Sequence, residues 1–241
     1  MSLPLLPTLT VPTYEVKLYS RSTPTTFRPY LVKEEKILLM AQQSGDEAEI
    51  ERAVKQIITN CTNGTVDVEK LPSFDIEYLF LQLRAKSVNN VIPLRYQCKA
   101  PHGNGICGFV TTTNLDLDEV KLTVDPAHTN KIMLNDKVGV TLRYPTAKNY
   151  GTFNAESVDI STALVECLET IFTVDGEVHE CSEQTKEDLT NFVEGLSLAH
   201  IEKIQAFFET LPRLTHTFTF KCERCGYTED ITLSGLSDFF E

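Results

Sequence analysis

Tyr14-Glu-Val-Lys-Leu-Tyr19 alternates apolar and polar residues, and Thr26-Phe-Arg-Pro-Tyr30 does so again beyond a Ser-Arg-Ser-Thr-Pro turn. The pair reads as a β-hairpin. The period then changes. Val32–Gln43 sets Ile37, Leu38, Leu39 and Met40 behind Glu34 and Glu35, acids suited to the positive end of a helix dipole. Glu47–Asn60 carries Ile50, Ala53, Val54, Ile57 and Ile58. That is an i, i+3, i+4, i+7, i+8 stripe, bounded by Gly45-Asp46 and Asn63-Gly64. A third helix is predicted from Ser73 as cap, with Glu77 just beyond the capping-box position. Its run Tyr78–Ala85 is so apolar that it predicts a central, buried helix rather than a docking surface.

Residues 91–145 read as strands, ending in Lys137–Tyr144 before Pro145. Helical spacing returns from Asn154, and Ser161–Thr173 carries Leu164, Val165, Leu168, Ile171 and Phe172. Val174-Asp-Gly-Glu-Val178 reads as a tight turn between short extended pieces. Helices are predicted over Gln184–Leu196 and Ser197–Leu211, the second opened by Ser197 and stopped by Pro212. Strands resume at Phe218–Phe220 and Tyr227–Ile231. The predicted fold is α+β: a helical bundle packed with an antiparallel β-module that a helical insertion interrupts. The expected divisions are residues 1–90 (hairpin plus helices), 91–153 (β-rich), 154–212 (helical insertion) and 213–241 (strands completing the β-module).

Four cysteines sharpen this picture. Cys98 and Cys107 form a Cys-x₈-Cys pair followed by Gly108-Phe109, and Cys222 and Cys225 a Cys-x₂-Cys pair followed by Gly226-Tyr227. An alternating run enters and leaves each pair, which predicts two hairpins with two thiolates at each tip. Together they compose the tetrahedral S₄ shell that suits structural Zn²⁺, in a zinc-ribbon-like module. A glycine after the second cysteine permits φ > 0 and close approach of its amide to sulfur. No βαβ pattern surrounds Cys222 and Cys225, so a redox pair is not expected. Seven cysteines without a secretory signal argue against disulfides. His102 lies within the first tip and is the candidate to replace one sulfur; iron in the same shell is the alternative metal. Cys61, Cys167 and Cys181 read as buried packing thiols.

Composition narrows the function. The 241 residues are 41% hydrophobic and 23% charged, an ordinary globular balance, and no apolar run is long enough to span a bilayer. The proline-broken N-terminus, Met1–Pro7, lacks a basic region, so a soluble, intracellular protein is expected. A net charge of −12 opposes non-specific nucleic-acid binding. Residues 78–115 nevertheless contain no acid and carry Arg84, Lys86, Arg95 and Lys99, and residues 210–222 carry Arg213 and Lys221 without one. Their simplest role is to offset the −2 charge of a Zn(Cys)₄ centre, the alternative being a basic face for an acidic partner; a zinc-ribbon nucleic-acid binder using Arg95, Lys99, Lys221 and Arg224 is the competing reading. No phosphate loop, nucleophile elbow or His-Glu-x-x-His is present. His128, His179, His200 and His216 are scattered, and Asp116-Leu-Asp118-Glu119 reads as a solvated turn. A metallohydrolase would need one cysteine released for water, so the chain reads as non-catalytic, without a small-molecule substrate.

Two segments point to a family. Arg28–Ala41 (Arg-Pro-Tyr-Leu-Val-Lys-Glu-Glu-Lys-Ile-Leu-Leu-Met-Ala) and Phe74–Val88 (Phe-Asp-Ile-Glu-Tyr-Leu-Phe-Leu-Gln-Leu-Arg-Ala-Lys-Ser-Val) resemble the T-even-type bacteriophage baseplate hub proteins. That family includes a hub subunit and a related hub assembly protein, and the likeness is best over residues 14–145. It implies a late component of the contractile-tail baseplate, with other hub and tail proteins as partners and no membrane. A resident subunit would sit in the virion baseplate, whereas an assembly chaperone would act in the host cytoplasm and be absent from the particle. The resemblance carries no catalytic residue, and the zinc expectation rests on cysteine spacing alone.

Overall fold

The computed structural model describes residues 9–103, 105–146 and 160–239. The start of the expected helical stretch at Asn154 and the side chain of His102 lie outside the described set. Along the chain run β1 (Tyr14–Val16), β2 (Thr25–Phe27), α1 (Val32–Ser44), α2 (Glu47–Cys61), α3 (Ser73–Ser87), β3 (Val91–Gln97), β4 (Pro101–His102), β5 (Gly105–Ile106), β6 (Val110–Asp116) and β7 (Lys121–Thr123). There follow β8 (Lys131–Met133), β9 (Val138–Leu142), α4 (Ile160–Cys167), β10 (Leu168–Thr173), β11 (Val178–Glu180), α5 (Lys186–Glu194), α6 (Leu198–Glu209), β12 (Arg213–Lys221) and β13 (Thr228–Ser234). The protein is α+β, as expected. It divides into two compact units: one of residues 1–68, 75–121 and 215–241, the other of 69–74 and 122–214.

In the first unit, β1 and β2 form the expected hairpin, Tyr14 opposite Phe27. The α2 stripe is buried, with Ile57 and Ile58 fully inaccessible, and Asp46 caps the helix by accepting from the Ala48 amide at 2.9 Å. α3 buries Leu79, Phe80, Leu81 and Leu83 on several sides, so it is the core helix its composition predicts. Asp75, also fully buried, is met by the amides of Tyr19 and Ser20, each at 2.9 Å, and by the Ser20 hydroxyl. α1 departs from its apolar pattern. Its buried residues are Glu34 and Ala41, whereas Leu39 and Met40 are 50% and 71% exposed. Arg28, 3.0 Å from Glu34, holds the acid on the inward stripe that also carries half-buried Ile37 and Leu38 and buried Ala41, which leaves Leu39 and Met40 on the outer face.

The second unit is built on an antiparallel sheet of order β11-β10-β9-β8. Leu134, Val140, Leu142, Leu164, Leu168, Leu189, Val193, Ile204 and Phe207 join sheet and helices in one core. The expected helix over Ser161–Thr173 is corrected here: it stops at Cys167, and Leu168–Thr173 is a strand paired with β9 and β11. The segment between the cysteine pairs therefore contributes strands as well as helices. Val174–Val178 is the turn it resembled. α5 begins at a Thr185 cap and α6 at Ser197, whose hydroxyl accepts from the His200 amide.

One strand pairing favours a glycine because an aromatic ring lies over it. Gly139 lies opposite Phe172, and a Cβ at Gly139 would fall 2.3 Å from the ring. The ring also receives Lys131, its ammonium 4.5 Å from the centroid. Gly139→Ala should displace Phe172 from this seat and cost about 1–3 kcal/mol, the usual scale of overpacking. The shift in urea midpoint measures it, and Phe172→Leu in the same chain should recover part of the loss.

Candidate metal centre

Each cysteine pair sits where a strand ladder narrows into a tip. β3 and β6 pair from Val91↔Asp116 to Gln97↔Val110. The ladder continues as the Cys98 amide donates to the Phe109 carbonyl at 2.8 Å and the Cys107 amide to the Ala100 carbonyl at 2.8 Å. On the other side, β12 and β13 pair as far as Lys221↔Thr228, and the Cys222 amide donates to the Tyr227 carbonyl at 2.8 Å. The tips share one detail. The amide of Gly108 donates to the Cys98 carbonyl at 3.0 Å, and that of Gly226 to the Cys222 carbonyl at 2.9 Å. Both glycines are left-handed, with φ of 66° and 72°, a conformation that disfavours a side chain at either position.

The two tips meet. The sulfurs of Cys98, Cys107, Cys222 and Cys225 all lie within 4.8 Å of one another, with Cys98 to Cys225 at 3.7 Å and Cys107 to Cys222 at 3.9 Å. A tetrahedral shell with Zn–S bonds of about 2.3 Å places its sulfurs about 3.8 Å apart. Cys98, Cys107 and Cys222 are buried and Cys225 is exposed. Around them pack Ala100 and Phe220, with Tyr96, Phe109, Phe218 and Ile231 at the margin; the Tyr96 and Phe220 rings are 4.7 Å apart.

Backbone amides point at the sulfurs. Ala100 donates to Cys98, Arg224 and Cys225 donate to Cys222, and Tyr227 donates to Cys225. Such donors favour thiolate. Burial pushes the Cys222 thiol up, but those two amides, with the thiols of Cys225 and Cys98, outweigh it and bring the group to about 7. At Cys98 burial dominates, and the thiol is pushed up to about 12. Four adjacent sulfurs cannot all ionise without a cation among them. A divalent metal of thiolate preference resolves that conflict, and the donor set, spacing and amides fit it. Arg224, which donates to the Cys107 carbonyl at 3.4 Å, adds a positive charge at the rim.

The other cysteines are not part of this cluster. Cys61, Cys167 and Cys181 are buried, and burial pushes Cys61 up to about 11 and Cys167 to about 12. His128 is satisfied within the second unit. Its Nδ1 lies 2.9 Å from the Thr210 hydroxyl and its Nε2 3.1 Å from Tyr144. Thr210 gives its own proton to the Ala206 carbonyl, so Nδ1 donates to Thr210 and Tyr144 donates to Nε2. The acidic turn is also engaged: Asp116 accepts from the Asp118 amide, and Asp118 from Lys86 at 2.8 Å. The sequence suggests that the amide of the glycine after each second cysteine approaches sulfur; Gly108 and Gly226 instead donate to the Cys98 and Cys222 carbonyls, and the donors to sulfur are Ala100, Arg224, Cys225 and Tyr227.

The family described as T4 bacteriophage base plate protein matches residues 11–241. The chain belongs to that family. The match spans both cysteine pairs and everything between them. No curated protein and no solved structure matches the chain. Membership gives the chain a structural or assembly role in the phage tail base plate and implies interaction with other base plate proteins. Among the described residues no helix is long and apolar enough to cross a membrane.

Proposed function

We propose that this protein is a non-catalytic subunit of the baseplate hub, in which Cys98, Cys107, Cys222 and Cys225 hold one structural Zn²⁺. The observation that carries the metal reading is the convergence of the four sulfurs, from positions more than a hundred residues apart in the chain, within 4.8 Å. The ion would join residues 98–107 to residues 222–225 and set the return of the chain after residues 122–214. Four thiolates close the shell and leave no position for a reactive water, so the clamp is structural. The hub assignment is supported by Arg28–Ala41 and Phe74–Val88, which resemble hub proteins and supply α1, its entry and the core helix α3. The clamp fixes the β-module, and the module offers surfaces to neighbouring subunits.

Quantitative mass spectrometry of purified particles beside tail-assembly intermediates tests the reading. A hub subunit appears at fixed copy number in both. Presence in intermediates alone would make the chain a transient assembly chaperone, and absence from both would end the hub assignment. Metal analysis of the purified chain should give one equivalent of zinc; a coloured sample would identify iron instead.

A further inference from the structure

β13 pairs with β12 over seven residues without a break in register, Thr215↔Ser234 through Lys221↔Thr228. Among the described residues nothing pairs with its other side. The knuckle fixes which way its backbone points. Because the Cys222 amide donates to the Tyr227 carbonyl, the backbone groups of Glu229, Ile231 and Leu233 face β12, and those of Thr228, Asp230, Thr232 and Ser234 face away. Two observations agree. The Thr217 and Thr232 hydroxyls are 2.8 Å apart and the Thr219 hydroxyl donates to Asp230 at 2.7 Å, contacts natural to the closer, non-hydrogen-bonded pairs. The Ser234 amide, aimed outward, donates to the Asp238 carboxylate at 2.8 Å. Asp238 thus closes one end of the edge. Among the described residues the outward amides and carbonyls of Thr228, Asp230 and Thr232 have no partner.

Proteins normally blunt such edges with proline, lysine, a bulge or a short strand. β13 has no proline, no lysine and no register shift. Its two faces also differ. Thr228, Asp230 and Thr232 are exposed, while Ile231 and Leu233 are half-buried on the side of Phe218 and Phe220. Three outward peptide groups spaced two residues apart are matched only by another extended backbone.

We infer that the open edge of β13 receives an extended segment of another baseplate protein as an added strand, with a basic side chain opposite the exposed Asp230. Charge selects the occupant. A second copy of this chain would bring two exposed Asp230 carboxylates into one ribbon between proteins of net charge −12, and like charges across strands oppose pairing. A basic segment reverses that sign. The inference stands on family membership and hairpin register and does not require the metal.

The test adds the full chain to baseplate intermediates from cells infected with phage lacking it. Thr232→Pro removes an outward amide and no β12 bond. Asp230→Lys reverses the exposed charge. Each should reduce incorporation at least tenfold with metal content and urea midpoint near the parent values. A photo-cross-linker at position 230 should map to an extended basic segment of a different baseplate protein, and this readout stands even if Thr232→Pro folds poorly. Parental incorporation of Asp230→Lys, or cross-links confined to a second copy of this chain, would overturn the inference. A chain without metal whose Asp230→Lys variant still loses incorporation refutes the clamp and keeps the edge.

Discussion

Cys225→Ser should release the metal and destabilise the protein by more than about 4 kcal/mol, as much as Cys222→Ser, although Cys225 is exposed and Cys222 is buried. Exposed positions away from special features usually shift stability by about 0.5 kcal/mol or less. Packing alone therefore predicts a large loss at Cys222 and almost none at Cys225. A shared metal predicts equal losses, because structural zinc contributes on the order of 10 kcal/mol and its removal exposes the same vacant shell whichever ligand is lost. Metal content by elemental analysis and the urea midpoint are the two readouts. Cys61→Ser is the control: it should retain the full equivalent, since Cys61 lies outside the cluster. Parental metal content in Cys225→Ser would sink the four-thiolate site.

A chelator gives the same contrast without mutation. Competition for the ion should lower the midpoint of the parent chain and leave Cys225→Ser unchanged, because binding to the folded state alone stabilises by mass action. The expected loss concentrates in the β-module. There a bound ion would join β3–β6 to β12–β13 beside the small apolar cluster of Ala100, Phe220 and their neighbours.

The convergence of the four cysteines was legible in the sequence because it rests on a local signature: two cysteines per turn, a glycine after the second, alternating strands on both sides. What the sequence could not supply was anything decided by distant pairing. Leu168, Ile171 and Phe172 satisfy helical spacing, yet Leu168, Thr170 and Phe172 also alternate. The choice fell to β9, whose Val138–Leu142 offers partners to Leu168 and, past a register shift, to Thr170–Thr173. The same holds for α1. Its apolar run Ile37–Met40 suggests an inward face, but a helix has one inward stripe, and Glu34 occupies part of it because Arg28 waits there. The free edge of β13 depends on register and on which amides point outward, and only the paired hairpin fixes those.

That buried pair carries the second large effect. Glu34 is fully buried; one oxygen lies 3.0 Å from an Arg28 nitrogen, and the other accepts from the Leu31 amide at 2.9 Å, satisfying a free donor at the start of α1. Arg28, 16% exposed, also donates to the Pro29 carbonyl. Glu34→Ala strands the guanidinium and the Leu31 amide together, and should cost about 3–5 kcal/mol, the scale of breaking a buried ion pair from one side. Glu34→Gln keeps an acceptor for Leu31 and should cost less. Arg28→Met with Glu34→Leu removes both charges and should recover much of the Glu34→Ala loss. Acid separates the two carboxyl variants further. Burial pushes the Glu34 carboxyl up, but the hydrogen bonds from Arg28 and Leu31, with the charges of Arg28 and Lys33, hold it below its ordinary 4.5. Its contribution is therefore full above that value and is lost as pH falls through the lower folded one. The stability gap between parent and Glu34→Gln, measured by urea midpoint, should be widest near neutrality and narrow below about pH 4. A gap that is constant with pH would mean that the carboxylate charge contributes nothing to the fold.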